Sequence, residues 1–279
     1  MALTNREQLM YEEILEWKGR LSTYERTDIE TIYEKLISGG ISYIPEDTQK
    51  ELYETLDSVL FHLHAMIQGA QLKKEASDRI LASARLFDEE ITGIEDLKGL
   101  SVDQIEYIVK QQISRHRAYS FTQGGMSGMG GVPLLLSDLP AMLFINLRLV
   151  QLIALSYGYE VNTPKEMMIS LKAFYTGTLP ERYQMAGLED LLADASETGQ
   201  SYFYEGKEEI TNAEWFEQPL RLMAKYTAIQ MFKNRKIQGL PIVSMMIGAG
   251  SNYSLTKKVS DFAHHFYKYR YLMEKEGMQ

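Results

Sequence analysis

The chain has 279 residues, a formal net charge of −9 and no cysteine, with a pI near 5.2. A length of this order builds a full hydrophobic core without covalent staples, and the missing thiols exclude disulfides and thiolate metal sites and fit a reducing cytoplasm. The acidic balance argues against nucleic-acid binding, and the start MALTNREQLMYEE has neither the basic residues nor the apolar stretch of a signal peptide.

Helical signals run along the chain from its start. Met10, Ile14, Trp17 and Leu21 step by four, three and four, which sets them on one helix face. Leu52, Leu56, Val59, Leu63 and Met66 repeat the spacing, as do Ile80, Ala84, Phe87 and Ile91. Capping boxes, in which a hydroxyl accepts from an early backbone N–H and an acid or amide reaches back, recur along the chain. They pair Thr4 with Glu7, Thr27 with Glu30, Ser101 with Gln104, Thr163 with Glu166, Thr178 with Glu181 and Thr211 with Glu214. Pro164 adds a favoured first helical residue. Strand alternation is confined to a short candidate at Tyr202–Tyr204. The expected fold is an all-α, multi-helix bundle, with N-terminal amphipathic helices over residues 1–75 and a helical domain over 76–279.

Two segments stand apart. Residues 118–137 and 237–256 are each twenty residues without a charge, rich in glycine and holding one proline. Gly124, Gly125, Gly128, Gly130 and Gly131 crowd the first, and Gly248 and Gly250 lie in the second. The first has no lysine for a phosphate loop and no strand before a G-x-G-x-x-G turn, so nucleotide binding is set aside. Small residues recur at four-residue steps in both, a spacing that lets helix backbones approach closely. Each segment is long enough to cross a bilayer, but their polar and glycine content, with Asp138 and Arg148 following the first, favours a buried central hairpin or an interface-seeking segment.

Ser137–Asp138–Leu139–Pro140 reads as a helix start with Asp138 as its cap. Arg148 then falls in FINLRLVQLIAL, where a guanidinium needs an acceptor: an acid or carbonyl on another helix, or a phosphate headgroup. Asp261, His264 and His265 stand at i, i+3 and i+4, a weak candidate metal trio without a visible fourth ligand; a solvated face is the blander reading. Residues 221–279 carry 3 acidic and 10 basic groups, against 22 acidic and 12 basic in residues 1–110. The basic end answers either the acidic groups of its own chain or anionic phospholipid.

The glycine cluster GGMSGMGG, Asp138 with LPAMLFINLRLVQLIALSYGYE behind it, and the later LPIVSMMIGAGSNYSLTKKVSDFAHHFYKYRYL together resemble the EcsC family over roughly residues 75–275. The resemblance implies an all-helical bacterial protein, membrane-associated and linked by name and gene neighbourhood with an Ecs-type ABC transporter. It implies no catalytic residue and no cofactor, since the family has no established enzymatic activity. The positions that match its pattern are the glycines, Asp138, Arg148, Asn252 and Arg270; the histidine pair is outside it. The expected function is therefore non-enzymatic: a cytoplasmic protein, peripheral at the inner face of the cell membrane, that assists or regulates a membrane partner such as an ABC transporter. The alternative is an enzyme acting on lipid or an envelope metabolite.

Overall fold

The computed structural model describes residues 3–23, 70–128, 132–179, 181–196 and 241–277, with backbone only at 70–73, 123–128, 132–141, 182 and 241–251. All regular structure among these residues is helical. Seven α-helices are described: α1 (Asn5–Ser22), α2 (Ala70–Ala84), α3 (Val102–Gly128), α4 (Val132–Ser156), α5 (Pro164–Thr178), α6 (Glu181–Ser196) and α7 (Pro241–Glu276). A 3-10 helix, Glu95–Gly99, precedes α3. The predicted elements at 27–66, the Tyr202–Tyr204 strand and the Thr211 box lie outside the described residues.

The longest helix is the axis of the fold. At 36 residues, α7 spans about 54 Å, and α1, α3, α4, α5 and α6 all pack against it. Its inner face carries Val259, Phe262, Ala263, Phe266, Tyr267 and Leu272, all buried. Helix α1 starts at a complete capping box, Thr4 accepting from the Glu7 amide while the Glu7 carboxylate takes the Thr4 amide. The face read from sequence is the buried one: Met10, Ile14, Trp17 and Leu21. It seats Tyr11 on Tyr269, ring centres 5.9 Å apart, and Trp17 on Phe262 and His265.

Helix α2 ends at Ala84, earlier than the Ile80–Ile91 spacing predicts. The amide of Asp88 caps the Ala84 carbonyl and Arg85 Nε donates to the Ile91 carbonyl at 2.9 Å, so Ile91 reaches the core through a turn while Phe87 stays exposed. The Ser101–Gln104 box forms and opens α3.

Helix α4 is buried all round over its last two turns, from Leu149 through Ser156. Gly158 stops it with φ of +82°; Gly158 donates to the Leu155 carbonyl and Tyr159 to that of Ala154, the left-handed closure that favours glycine. A Cβ there would also meet Lys98 Cγ at 2.7 Å.

Thr163 caps α5 by accepting from the Glu166 amide, with Pro164 at the predicted first position. The Glu166 carboxylate does not complete the box, because Arg270 holds it. The Thr178–Glu181 box does not form: α5 runs through Thr178, whose hydroxyl donates back to the Tyr175 carbonyl. Close helix contact falls at Gly177, where a Cβ would lie 3.1 Å from Val259 Cα on α7.

Candidate functional site

Ion pairs connect α7 to its neighbours one after another. Lys268 meets Glu106 on α3, Arg270 meets Glu166 on α5, and Lys275 meets Glu7 on α1. Glu274 receives Lys98 from the 3-10 helix, at 2.9 Å. Arg117 of α3 donates to Ser260 and to Asp261, the latter at 2.6 Å. Basic residues at the end of the sequence thus answer acidic residues far earlier in it, which is the internal reading of the charge asymmetry.

Burial sharpens these pairs. Glu106 is buried, which by itself favours the neutral acid, yet hydrogen bonds from Lys110 and Lys268 and their charges hold it ionised, with a pKa of about 2. Burial also works against the Arg270 charge, but Glu166 overrides it and raises the pKa. The guanidinium is closed by Glu166, Glu274 and the Tyr159 ring 4.0 Å away. Arg270 is therefore an internal charge partner rather than an open headgroup site.

The metal trio does not converge. Asp261 is held by Arg117, and His265 donates Nδ1–H to the Asp261 carbonyl while stacking on Trp17 at 4.6 Å. His264 lies 3.7 Å from Glu106 on another face. Burial, then Lys268, lowers its pKa to about 3, so it is neutral. Among the described residues no group of His, Asp and Glu could hold a metal ion.

Asp138 is not a helix cap. Helix α4 begins at Val132, with Pro133 in its first turn, and Asp138 falls inside it. Proline near the start fits the free N–H positions, and this outweighs the later Ser-Asp-Leu-Pro signal. Arg148 is half-buried in α4; burial and Arg79 lower its pKa, and Glu75 opposes them. Asn252 is buried on α7, one turn before Thr256. Gly124, Gly125 and Gly128 lie in the last turns of α3, and Gly248 and Gly250 in the first turns of α7; Gly130 and Gly131 lie outside the described residues.

Helices α3 and α7 run antiparallel, and their contacts fix the register. Lys268 faces Glu106, Ser260 faces Arg117, Thr256 faces Ser120 with hydroxyls 2.6 Å apart, and Tyr253 faces Phe121 edge-on at 6.5 Å. Toward the charge-free segments this helix pair becomes aromatic and exposed: Tyr119 is 57% exposed, Phe121 55% and Tyr253 39%. Exposed Arg115 and Lys257 follow in the next turns. Single exposed apolar residues are ordinary; here Phe121 and Tyr253 meet each other across the two helices, and Tyr119 stands two residues before Phe121 against His116. Sequence reasoning missed this end because exposure is not written in the spacing of one helix. The signal available was the tyrosines and phenylalanine at the edges of the two charge-free runs. Among the described residues no helix is long and apolar enough to cross a membrane.

The sequence profile of the EcsC protein family matches residues 8–272, so the resemblance reaches back through α1. An uncharacterized protein of Bacillus subtilis strain 168, YdbA, is 24% identical over 233 residues, covering 83% of this chain and 80% of its own. Protein EcsC of the same strain is 23% identical over 273 residues, covering 97% of this chain and 98% of its own. No solved structure matches the chain. With a family profile that runs from α1 to the last turns of α7, the chain belongs to the EcsC protein family.

Proposed function

We propose that this chain is a non-enzymatic helical protein of the inner membrane surface, which meets anionic phospholipid through the end of the α3/α7 pair and assists or regulates a membrane partner such as an ABC transporter. The observation that carries the reading is the exposed set Tyr119, Phe121 and Tyr253, bordering two charge-free segments and followed by Arg115 and Lys257. Tyrosine and other aromatics favour the headgroup level of a bilayer. Lys and Arg near an anionic surface contribute about 1 kcal/mol each. The α3/α7 register, continued past Phe121 and Tyr253, sets Gly124 and Gly125 toward Gly248 and Gly250, which supports reading these glycines as a close-packed tip. The enzyme alternative has His264 and Glu106 as its best-placed pair, but Glu106 is taken by Lys110 and Lys268 and burial keeps His264 neutral.

The test is co-sedimentation of the full chain with vesicles of phosphatidylglycerol and phosphatidylcholine, and with phosphatidylcholine alone. Binding to the first, several-fold above the second, is expected. Binding to neither removes the lipid half of the proposal.

A further inference from the structure

A second exposed apolar patch lies toward the start of α3, where the loop after α2 meets it. Ser83 of α2 donates to Gln111 of α3 at 3.2 Å. One turn further on, Phe87 meets Tyr107 edge-on, with ring centres 5.7 Å apart. The matching steps show that the two segments run antiparallel through this point. Leu86 beside them is 78% exposed, Tyr107 53% and Phe87 39%.

The loop holds these side chains out in a fixed arrangement. The amides of Phe87 and Asp88 both return to the Ala84 carbonyl, and Arg85 Nε closes on that of Ile91. Ile91, Ile94 and Leu97 anchor the loop in the core. Asp96 ties its far side by accepting from the amides of Thr92 and Gly93. Apolar groups presented by an ordered turn lose little further freedom on binding, which favours their use as a contact.

Charge selects what covers the patch. From Leu86 to Leu97 the chain carries five acids, Asp88, Glu89, Glu90, Glu95 and Asp96, and no base. Asp88, Glu89 and Glu90 directly follow Phe87 and are exposed. Neither Glu89 nor Glu90 has an ion-pair partner among the described residues. Of the cations around them, Arg85 turns to Ile91, Lys110 binds Glu106 and Arg6 binds Asp103. An anionic bilayer is repelled by such a rim. A second copy on the same face would set acid against acid, since a two-fold contact is self-complementary. A cationic partner gains twice: its Lys and Arg answer the carboxylates, and one of them also suits the exposed Tyr107 ring. We propose that Leu86, Phe87 and Tyr107, with Glu89 and Glu90, form a docking surface for a basic amphipathic segment of a partner protein. Tyr107 and Phe121 lie about 21 Å apart along α3, so this surface and the exposed α3/α7 end take different ligands, and neither depends on the other.

The test is fluorescence anisotropy of a labelled synthetic helix of Leu, Trp and Lys, titrated with the full chain. A second peptide carries Glu in place of Lys, and a third carries Gly in place of Leu and Trp. The first is expected to bind about tenfold more tightly than either of the others. Leu86→Ser, Tyr107→Ser, and Glu89→Gln with Glu90→Gln are each expected to weaken it about tenfold. The matched controls lie on α1, where Leu15→Ser, and Glu12→Gln with Glu16→Gln, change groups that are also exposed. They are expected to alter binding by no more than about twofold. All these positions are exposed, so the wild-type Tm is expected throughout; should a loop variant fold poorly, Tyr107→Ser on α3 carries the comparison. Controls that lose as much as the patch variants would show attraction to the net negative charge alone, and overturn the proposal. Failure of the first peptide to bind does the same, as does a wild-type dimer in sedimentation that Leu86→Ser dissolves, which gives the face to a second copy. Binding to phosphatidylglycerol vesicles is expected to be equal for wild type and Leu86→Ser; a fall would assign the patch to the membrane instead.

Discussion

Arg270 on α7 grips both carboxylate oxygens of Glu166 on α5, through Nη1 at 2.8 Å and Nη2 at 2.6 Å. Its Nε turns to Glu274 one turn on, at 2.9 Å. The two partners are 8% and 13% exposed, so neither charge has much water to fall back on. Removing one partner of a buried pair leaves the other uncompensated, at about 3–5 kcal/mol. Arg270→Leu is therefore expected to lower Tm by roughly 10 °C. The double change Arg270→Leu with Glu166→Leu recovers much of that loss, because it buries no lone acid. The Arg6–Asp103 pair is the contrast: both side chains are more than half exposed, and Arg6→Ala is expected to leave Tm unchanged. Thermal unfolding of the four chains tests the ranking.

The histidines set an acid limit on the fold. His116 has a folded pKa of about 4 and His264 of about 3, in both cases because burial opposes the charged ring. In the unfolded chain each titrates near its ordinary value, about 6.5. As pH falls below that value the unfolded chain takes up protons the fold refuses. Stability is thus full above about pH 7 and declines toward pH 4, on the order of 2–3 kcal/mol for each ring. Glu106, with its folded pKa of about 2, adds a second loss below about pH 4.5, when the unfolded carboxylate is protonated and the folded one is not. Urea unfolding from pH 8 to 3.5 is expected to show this two-stage decline. His116→Gln flattens the first stage; an unchanged slope would show that the buried rings are not its source.

Local signals carried most of the helices. The Met10–Leu21 face, the boxes at Thr4 and Ser101, and Thr163 with Pro164 are each settled within a few residues, and each is realised. Signals that compete with a longer helix failed. Asp138 and Thr178 look like starts, but the backbone is already helical at both, and Thr178 bonds backward instead. The basic end of the chain was legible as charge but not as pairing. Lys268 finds Glu106, Arg270 finds Glu166 and Lys275 finds Glu7 across more than a hundred residues, and no periodicity within one helix specifies such a match.

Close packing of α5 on α7 depends on Gly177 more than on any sequence motif. A methyl there would stand 3.1 Å from Val259 Cα and 3.3 Å from its carbonyl oxygen. Both are backbone atoms in a helix fixed by ion pairs, so the helices must separate by a few tenths of an ångström. Gly177→Ala is expected to cost about 1–3 kcal/mol, despite the better helix propensity of alanine. Gly19, exposed inside α1 with nothing within 4 Å of its missing methyl, should respond with the opposite sign. Gly19→Ala is expected to stabilise by about 0.5–1 kcal/mol. Paired denaturation curves test the contrast, and a stabilised Gly177→Ala chain would show that this interface has slack.

The exposed α3/α7 end makes its own prediction about salt. Arg117 is tied to Asp261 and Ser260, so among the described residues Arg115 and Lys257 are exposed cations near this end, and Tyr119, Phe121 and Tyr253 supply the apolar contact. The two contributions separate by ionic strength, since the screening length falls from about 8 Å at 0.15 M to 3 Å at 1 M. Lys257→Glu is expected to weaken vesicle binding about tenfold at low salt and little at 1 M. Tyr119→Ser with Phe121→Ser is expected to remove the binding that survives 1 M salt. Both variants alter exposed positions and should keep the wild-type Tm. If they bind phosphatidylglycerol vesicles as the unaltered chain does, the contact lies on another face of the bundle.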